Sequence, residues 1–148
     1  MRALLQRVSQ ASVSIDNKIF SEIGIGLVIF LGVEEKDNNE DVEWLAKKIS
    51  QMRIFEDEDG KMNTSVLDVK GQLLVVSQFT LHASTKKGNR PSFIKAAKPE
   101  IAIPLYEQFI KECSGQISTC TGQFGADMKV NILNDGPVTI WLDSKNRE

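Results

Sequence analysis

Gly26-Leu27-Val28-Ile29-Phe30-Leu31-Gly32-Val33 is apolar without alternation. A strand with one wet face alternates, so this run reads as a strand covered on both faces. Such a strand demands neighbours in its sheet and a layer above and below it. The rest of the chain has to supply them.

The strongest strand is Gln72 to Thr80. In regular geometry Leu73, Val75, Ser77 and Phe79 share one face, and Leu74, Val76, Gln78 and Thr80 the other. Residues 2 to 8 and 11 to 15 read as two further strands joined tightly at Ser9-Gln10. Asp16-Asn17 marks a turn, with a short strand from Lys18 to Ile23. Val42, Leu45, Ile49 and Met52 recur at helical spacing, so residues 40 to 53 form an amphipathic helix capped by Asn38 or Asn39. Asp57-Glu58-Asp59-Gly60 is a turn that lacks the later oxygen ligands of a calcium loop. Pro99 suits the first turn of a second helix; Pro104 lies either in that irregular turn or at the start of the helix proper. Leu105 and Phe109, with Ile101 and Ile110, give its buried face, and Gly115 ends it. Ile117 to Thr121 is a short strand.

Two strand-like runs close the sequence, Asp127 to Leu133 and Val138 to Leu142. The Asn134-Asp135-Gly136 link between them reads as a hairpin turn. Pro137 adds something, because Gly-Pro carries no side chain on one residue and no N–H on the other, and so displays bare carbonyls. The charged tail from Asp143 to Glu148 is expected to fray. Strands, helix, strand, helix, strands, with antiparallel hairpins at both ends, predict an α+β fold: a strongly curved, mostly antiparallel sheet or barrel with two main helices, residues 1–148 forming one domain.

At 41% hydrophobic and 26% charged residues, the chain is not disordered. Its early apolar residues are interrupted by Arg7, Ser9 and Gln10, so no signal peptide is expected, and no run is long enough to span a bilayer. A cytosolic setting, with Cys113 and Cys120 reduced, is the expectation. One histidine and two cysteines leave few soft ligands for a zinc site, so no metal and no cofactor is expected. The net charge of −2 does not announce a nucleic-acid binder, but Lys86, Lys87, Arg90, Lys95 and Lys98 form a basic stripe with no acid before Glu100. Such a stripe can bind phosphates, or be a solvated loop.

Ser77, Thr80 and His82 invite a reading as a nucleophilic set. Ser77 and Thr80 fall on opposite faces of a regular strand, no Gly-x-Ser-x-Gly elbow exists, and His82 also reads as a polar loop residue. A distortion at the strand end would change the facing. Asp57 and Asp59 sit in a polar turn with nothing to perturb them. Where a strand runs out into a loop, its last N–H groups lose their ladder partners, so Phe79 and Thr80 are the natural donors for an oxyanion hole.

Several stretches, in order along nearly the whole chain, resemble one family. They are Leu5-Gln6-Arg7-Val8, Ala11-Ser12-Val13, Gly32-Val33, Arg53-Ile54-Phe55, Gly60-Lys61-Met62-Asn63, Ser77-Gln78-Phe79-Thr80-Leu81, Arg90-Pro91-Ser92-Phe93, Phe124-Gly125-Ala126-Asp127-Met128 and Asn134-Asp135-Gly136-Pro137-Val138-Thr139. The family is the D-aminoacyl-tRNA deacylases. The resemblance implies a homodimer with active sites at the subunit interface and Ser77, Gln78, Phe79 and Thr80 in each. Gly136-Pro137, joined by a cis bond, would be the chiral gate that reaches into the other subunit's site, with Arg7 as its anchor or else a surface arginine. The implied substrate is a D-amino acid esterified to the terminal adenosine of tRNA, with Lys86, Lys87 and Arg90 holding tRNA phosphates, and glycyl-tRNA is accepted too. Two other readings stay open: a non-catalytic RNA-binding dimer using the basic loop, and a metal-independent esterase of small molecules with Thr80 or Ser77 as nucleophile.

Overall fold

The computed structural model describes residues 1–148. Its strands are β1 (Arg2–Ile15), β2 (Lys18–Ile23), β3 (Gly26–Gly32), β4 (Phe55–Glu56), β5 (Met62–Thr64), β6 (Gln72–Ser77), β7 (Thr119–Thr121) and β8 (Lys129–Asp143). The helices are α1 (Asn39–Gln51) and α2 (Pro99–Ser114), and a 3₁₀ turn covers Phe79–His82. The main sheet runs β2-β1-β3-β6-β7, with β8 on the other side of β1. Pairs of β1 are antiparallel, whereas β3–β6 and β6–β7 are parallel. The Ser21 hydroxyl donates to the Thr121 carbonyl at 2.8 Å, so the sheet curls until β2 meets β7. The predicted α+β class with a strongly curved sheet and two helices is what the chain adopts.

The both-faces reading of β3 explains the core. Leu27, Ile29 and Leu31 join Leu73 and Val75 of β6 in the larger cluster, against Val42, Leu45 and Ile49 of α1 and Phe109 of α2. Val28, Leu74 and Val76 face the opposite way, into the curl, with Val8, Ala11, Val13 and Ile23. On α2 the buried residues are Ala102, Tyr106, Phe109 and Cys113. Ile101, Leu105 and Ile110, expected to line that face, are only half-buried. The helix continues through Pro104 from Pro99. Asn38 caps α1 in a capping box with Asp41.

Three expectations are corrected. Ser9-Gln10 is no turn, because β1 is one strand of 14 residues. The pairing to β8 shifts register between Val8 and Gln10, which lets Ala11 and Val13 stay on the same face as Val8.

Asn134-Asp135-Gly136 does not reverse the chain either. β8 is a single strand of 15 residues, and both its halves run antiparallel to β1. Val8 pairs with Asn134 and Gln6 with Thr139, so Asp135, Gly136, Pro137 and Val138 arch outward opposite the single residue Arg7. The turn chemistry is real but local. The Asn134 side chain accepts from the Val138 N–H at 3.1 Å and donates to the Val138 carbonyl at 3.3 Å, closing the arch on itself.

The tail does not fray. The Ser144 N–H donates to the Met1 carbonyl, and the Ser144 hydroxyl accepts from the Met1 amine at 2.8 Å and donates to Asp41 at 2.7 Å. Lys145 donates to Asp41 at 2.7 Å, and the Arg147 guanidinium lies 4.6 Å from the Trp44 ring centroid. Lys145 is bound to the buried carboxylates Asp41 and Asp37, and Arg147 is held by an aromatic face. Burial works to raise the Asp41 pKa, but bonds from Lys145, Ser144 and the Asn38 N–H outweigh it and hold the carboxyl below its usual range.

Candidate active site

β6 ends at Ser77, earlier than the strand predicted through Thr80. The Gln78 N–H still bonds the Leu31 carbonyl at 2.7 Å, and then the chain winds into the 3₁₀ turn. Gly32 allows this. An ideal Cβ at Gly32 would stand 2.9 Å from the Gln78 carbonyl oxygen and 3.1 Å from both Leu81 Cβ and His82 Cδ2. Only a residue without a side chain lets the turn seat so closely on the end of β3. Phe79 and Thr80 open the turn, and the first N–H groups of a helical turn have no carbonyl of that turn to bond.

Beside this strand end lies a cleft of about 330 Å³. Leu31, Val76 and Ser77 form its base, Ala102 and Tyr106 of α2 one wall, and the Phe124–Met128 segment the other. The Tyr106 hydroxyl donates to the Val75 carbonyl at 2.9 Å, fixing α2 to β6, and burial pushes its pKa up to about 12. The Tyr106 and Phe124 rings meet edge to face at 5.8 Å. Ser77, Gln78 and Phe79 all line the cleft. Phe79 is 57% exposed and packs edge-on against Phe93 at 5.1 Å.

The Thr80 hydroxyl accepts from the Gln78 side-chain amide at 2.5 Å. An amide is no base, and His82 offers none: it is buried, and neither ring nitrogen makes a hydrogen bond of good geometry. Taken as a polar loop residue from sequence, His82 is instead sealed beneath the turn, a placement no periodicity signalled. Lys86, Lys87 and Arg90 are exposed in a loop whose base is closed by reciprocal bonds between Ser84 and Ser92 at 2.8 and 2.9 Å.

Arg7 is 5% exposed, not a surface residue. Its Nε donates to the Asp135 carbonyl at 3.1 Å and its Nη1 to the Ile54 carbonyl at 2.7 Å. Above it Gly136 has φ +125°, its peptide to Pro137 is cis, and both residues are exposed. Within one chain this arch and Ser77 do not meet. The arch is level with Arg7 and hence with Leu27 of β3, whereas Ser77 is level with Leu31, and the arch's strand β8 stands three strands from β6 across the sheet. Strand geometry makes that separation on the order of 15–20 Å. No helix is long and apolar enough to cross a membrane.

A family model described as D-Tyr-tRNA(Tyr) deacylase matches residues 4–143, from the start of β1 to the end of β8. A curated D-aminoacyl-tRNA deacylase of Bacteroides fragilis (strain YCH46) is 62% identical, with all of both chains covered. The solved structure of a c-Myc DNA unwinding element binding protein superposes with a TM-score of 0.92 at 41% identity, over 97% of this chain and 98% of that one. A probable eukaryotic D-amino acid tRNA deacylase shares the fold at a TM-score of 0.81 and 17% identity, over 95% of this chain and 97% of that one. A match that takes in the strand end at Ser77, the cleft and the Gly136-Pro137 arch in one alignment leaves one assignment: the chain belongs to the D-Tyr-tRNA(Tyr) deacylase family.

Proposed function

We propose that the protein hydrolyses the ester of D-aminoacyl-tRNA, releasing D-amino acid and free tRNA. The observation that carries this is the turn at Phe79 and Thr80, with its N–H groups beside an apolar, aromatic cleft. The terminal adenosine, the part common to every such ester, takes the cleft between Tyr106, Phe124 and Met128. The ester carbonyl then lies over the turn, where the Phe79 and Thr80 N–H groups stabilise the developing oxyanion, worth about 3 to 4 kcal/mol per donor in other enzymes.

The protein acts as a homodimer in which the Asp135–Val138 arch of one subunit enters the cleft of the other. Two observations favour this: the arch is exposed and far from its own cleft, and β8 has an unpaired edge with Leu133 61% and Trp141 47% exposed. An L-side chain would be driven against the carbonyls of Gly136 and Pro137, while a D-side chain points out of the pocket. Such rejection by clash requires no recognition of any particular side chain. Glycine has none to reject, so glycyl-tRNA is cleaved as well. The test is release of tyrosine from matched D- and L-tyrosyl-tRNA. Cleavage of only the D-ester is expected; equal cleavage of both, or of neither, overturns the reading.

The substrate's own 2′-hydroxyl, not Thr80, assists the attacking water, because the Thr80 hydroxyl has only an amide beside it. Thr80→Ala is therefore expected to keep single-turnover deacylation within about tenfold, whereas losing a hydrolase nucleophile costs on the order of 10⁶. A loss of that size in a folded variant would return Thr80 to the mechanism.

The exposed Lys86, Lys87 and Arg90 hold tRNA phosphates. Neutralising all three to Gln is expected to raise KM and lower the slope of log KM against log salt by about 2 to 3, at nearly constant kcat. An unchanged slope assigns the phosphates elsewhere.

A further inference from the structure

We propose that His82 is a positioning residue whose neutral imidazole fills the space beneath the 3₁₀ turn and holds the Phe79 and Thr80 N–H groups in place, so that protonating it releases the turn. This deepens the deacylase reading and rests on it for its catalytic consequence.

Four observations meet at this residue. His82 is 1% exposed. Neither ring nitrogen makes a hydrogen bond of good geometry, and the Gly32 carbonyl nearby acts on the ring only in part, an arrangement that calls for a reason in a buried polar group. The ring packs on the bare backbone of Gly32, whose ideal Cβ would lie 3.1 Å from its Cδ2. The neighbouring residue of the turn is tied down separately, since Arg2 Nη1 donates to the Leu81 carbonyl at 2.9 Å. Removing the ring would leave the turn hung from Gln78 and Leu81 with a void between them.

The charges around the ring oppose a proton. Burial is the main influence lowering the His82 pKa below 6.5. The Arg2 guanidinium at the start of β1 and the Met1 amine just before it lower it further, while the Gly32 carbonyl and Glu34, from β3 and the segment after it, pull the other way without prevailing. At neutral pH the ring is uncharged. A group with a depressed folded pKa contributes its stability above the unfolded value and loses it as pH falls through the folded one. The turn is therefore held fully above pH 6.5 and loosens below it.

The experiment compares wild type, His82→Ala and His82→Leu. In single-turnover cleavage of D-tyrosyl-tRNA at pH 7.5, His82→Ala is expected to lose about 100-fold in rate with little change in KM, as misplacement of donors by about 1 Å would produce. His82→Leu fills the volume without titrating. It is expected to stay within about threefold of wild type and to lack the wild-type acid limb below pH 6.5. Amide hydrogen exchange at Phe79 to His82, corrected for intrinsic chemistry, is expected to speed up in wild type between pH 7 and 5.5 but not in His82→Leu. Exchange needs no substrate, so it judges the latch even if wild type fails to cleave D-tyrosyl-tRNA and the deacylase reading falls. Equal exchange in wild type and His82→Leu across that range, or His82→Ala at wild-type rate, overturns the proposal.

Discussion

Gly32→Ala is expected to lower the rate of D-tyrosyl-tRNA cleavage by about 100-fold, although Gly32 touches no substrate. Its new methyl would meet the Gln78 carbonyl oxygen at 2.9 Å, with Leu81 Cβ and His82 Cδ2 at 3.1 Å. The oxygen belongs to the backbone and has little freedom to retreat, because the Gln78 N–H is bonded to the Leu31 carbonyl. The turn must move instead, and with it the Phe79 and Thr80 N–H groups. Overpacking of this kind costs about 1–3 kcal/mol, so the variant should remain folded with a lowered Tm. Gly24→Ala is the control: its Cβ would meet only the Gln72 side-chain oxygen, at an ordinary 3.6 Å, and activity should not change. If Gly32→Ala cleaves at wild-type rate, the turn is not where the ester reacts.

The same turn shows how far local sequence signals reach. The both-faces character of β3 and the strength of β6 were legible, because unbroken aliphatic runs have one favourable outcome in a layered fold. Where β6 stops was not. Gln78, Phe79 and Thr80 continue a plausible strand pattern, and only the close seat on Gly32, a residue 46 positions earlier, turns the chain at Ser77. The burial of His82 follows from that winding, so it was invisible for the same reason. Ser77, Gln78 and Phe79 were placed beside one another by the sequence alone, but the cleft wall at Phe124–Met128 arrives through the parallel pairing of β7 with β6, which no periodicity encodes.

Asn134-Asp135-Gly136 illustrates the opposite error. Its composition favours a tight turn, and a local turn exists, closed by the Asn134 side chain. Whether a turn reverses the chain depends on which partner is available on each side. Here β1 is long enough to pair with β8 before and after the arch, so reversal is unnecessary and the extra residues are extruded. The frayed-tail expectation failed similarly. The partners of Ser144 and Lys145 are Met1 and Asp41, more than 100 positions away in sequence.

Arg7→Met should separate stability from chirality, because Arg7 holds the arch without belonging to the cleft. Its guanidinium bridges two carbonyls, Asp135 at 3.1 Å and Ile54 at 2.7 Å, and it is pressed against Gly136, whose ideal Cβ would lie 2.9 Å from Nη2. Its ion pairs to Glu56 at 3.9 Å and Asp135 at 3.6 Å involve carboxylates 63% and 57% exposed, and such pairs contribute little. The carbonyl bonds matter more. Methionine keeps much of the volume but donates nothing, so unfolding in urea should show a loss of about 3 kcal/mol, in line with a buried charged donor removed from its acceptors. In the proposed dimer the arch, no longer held from below, should move within the other subunit's cleft. The ratio of kcat/KM for D- over L-tyrosyl-tRNA is then expected to fall by about 10- to 100-fold, with the D-ester still cleaved, because the Phe79 and Thr80 N–H groups are untouched. Arg7→Lys should not restore the ratio, since a lysine ammonium cannot span two carbonyls as the planar guanidinium fork does. A destabilised Arg7→Met that still discriminates fully would mean that the arch holds its shape through the Asn134 side chain alone, and that Arg7 serves the fold and not the gate.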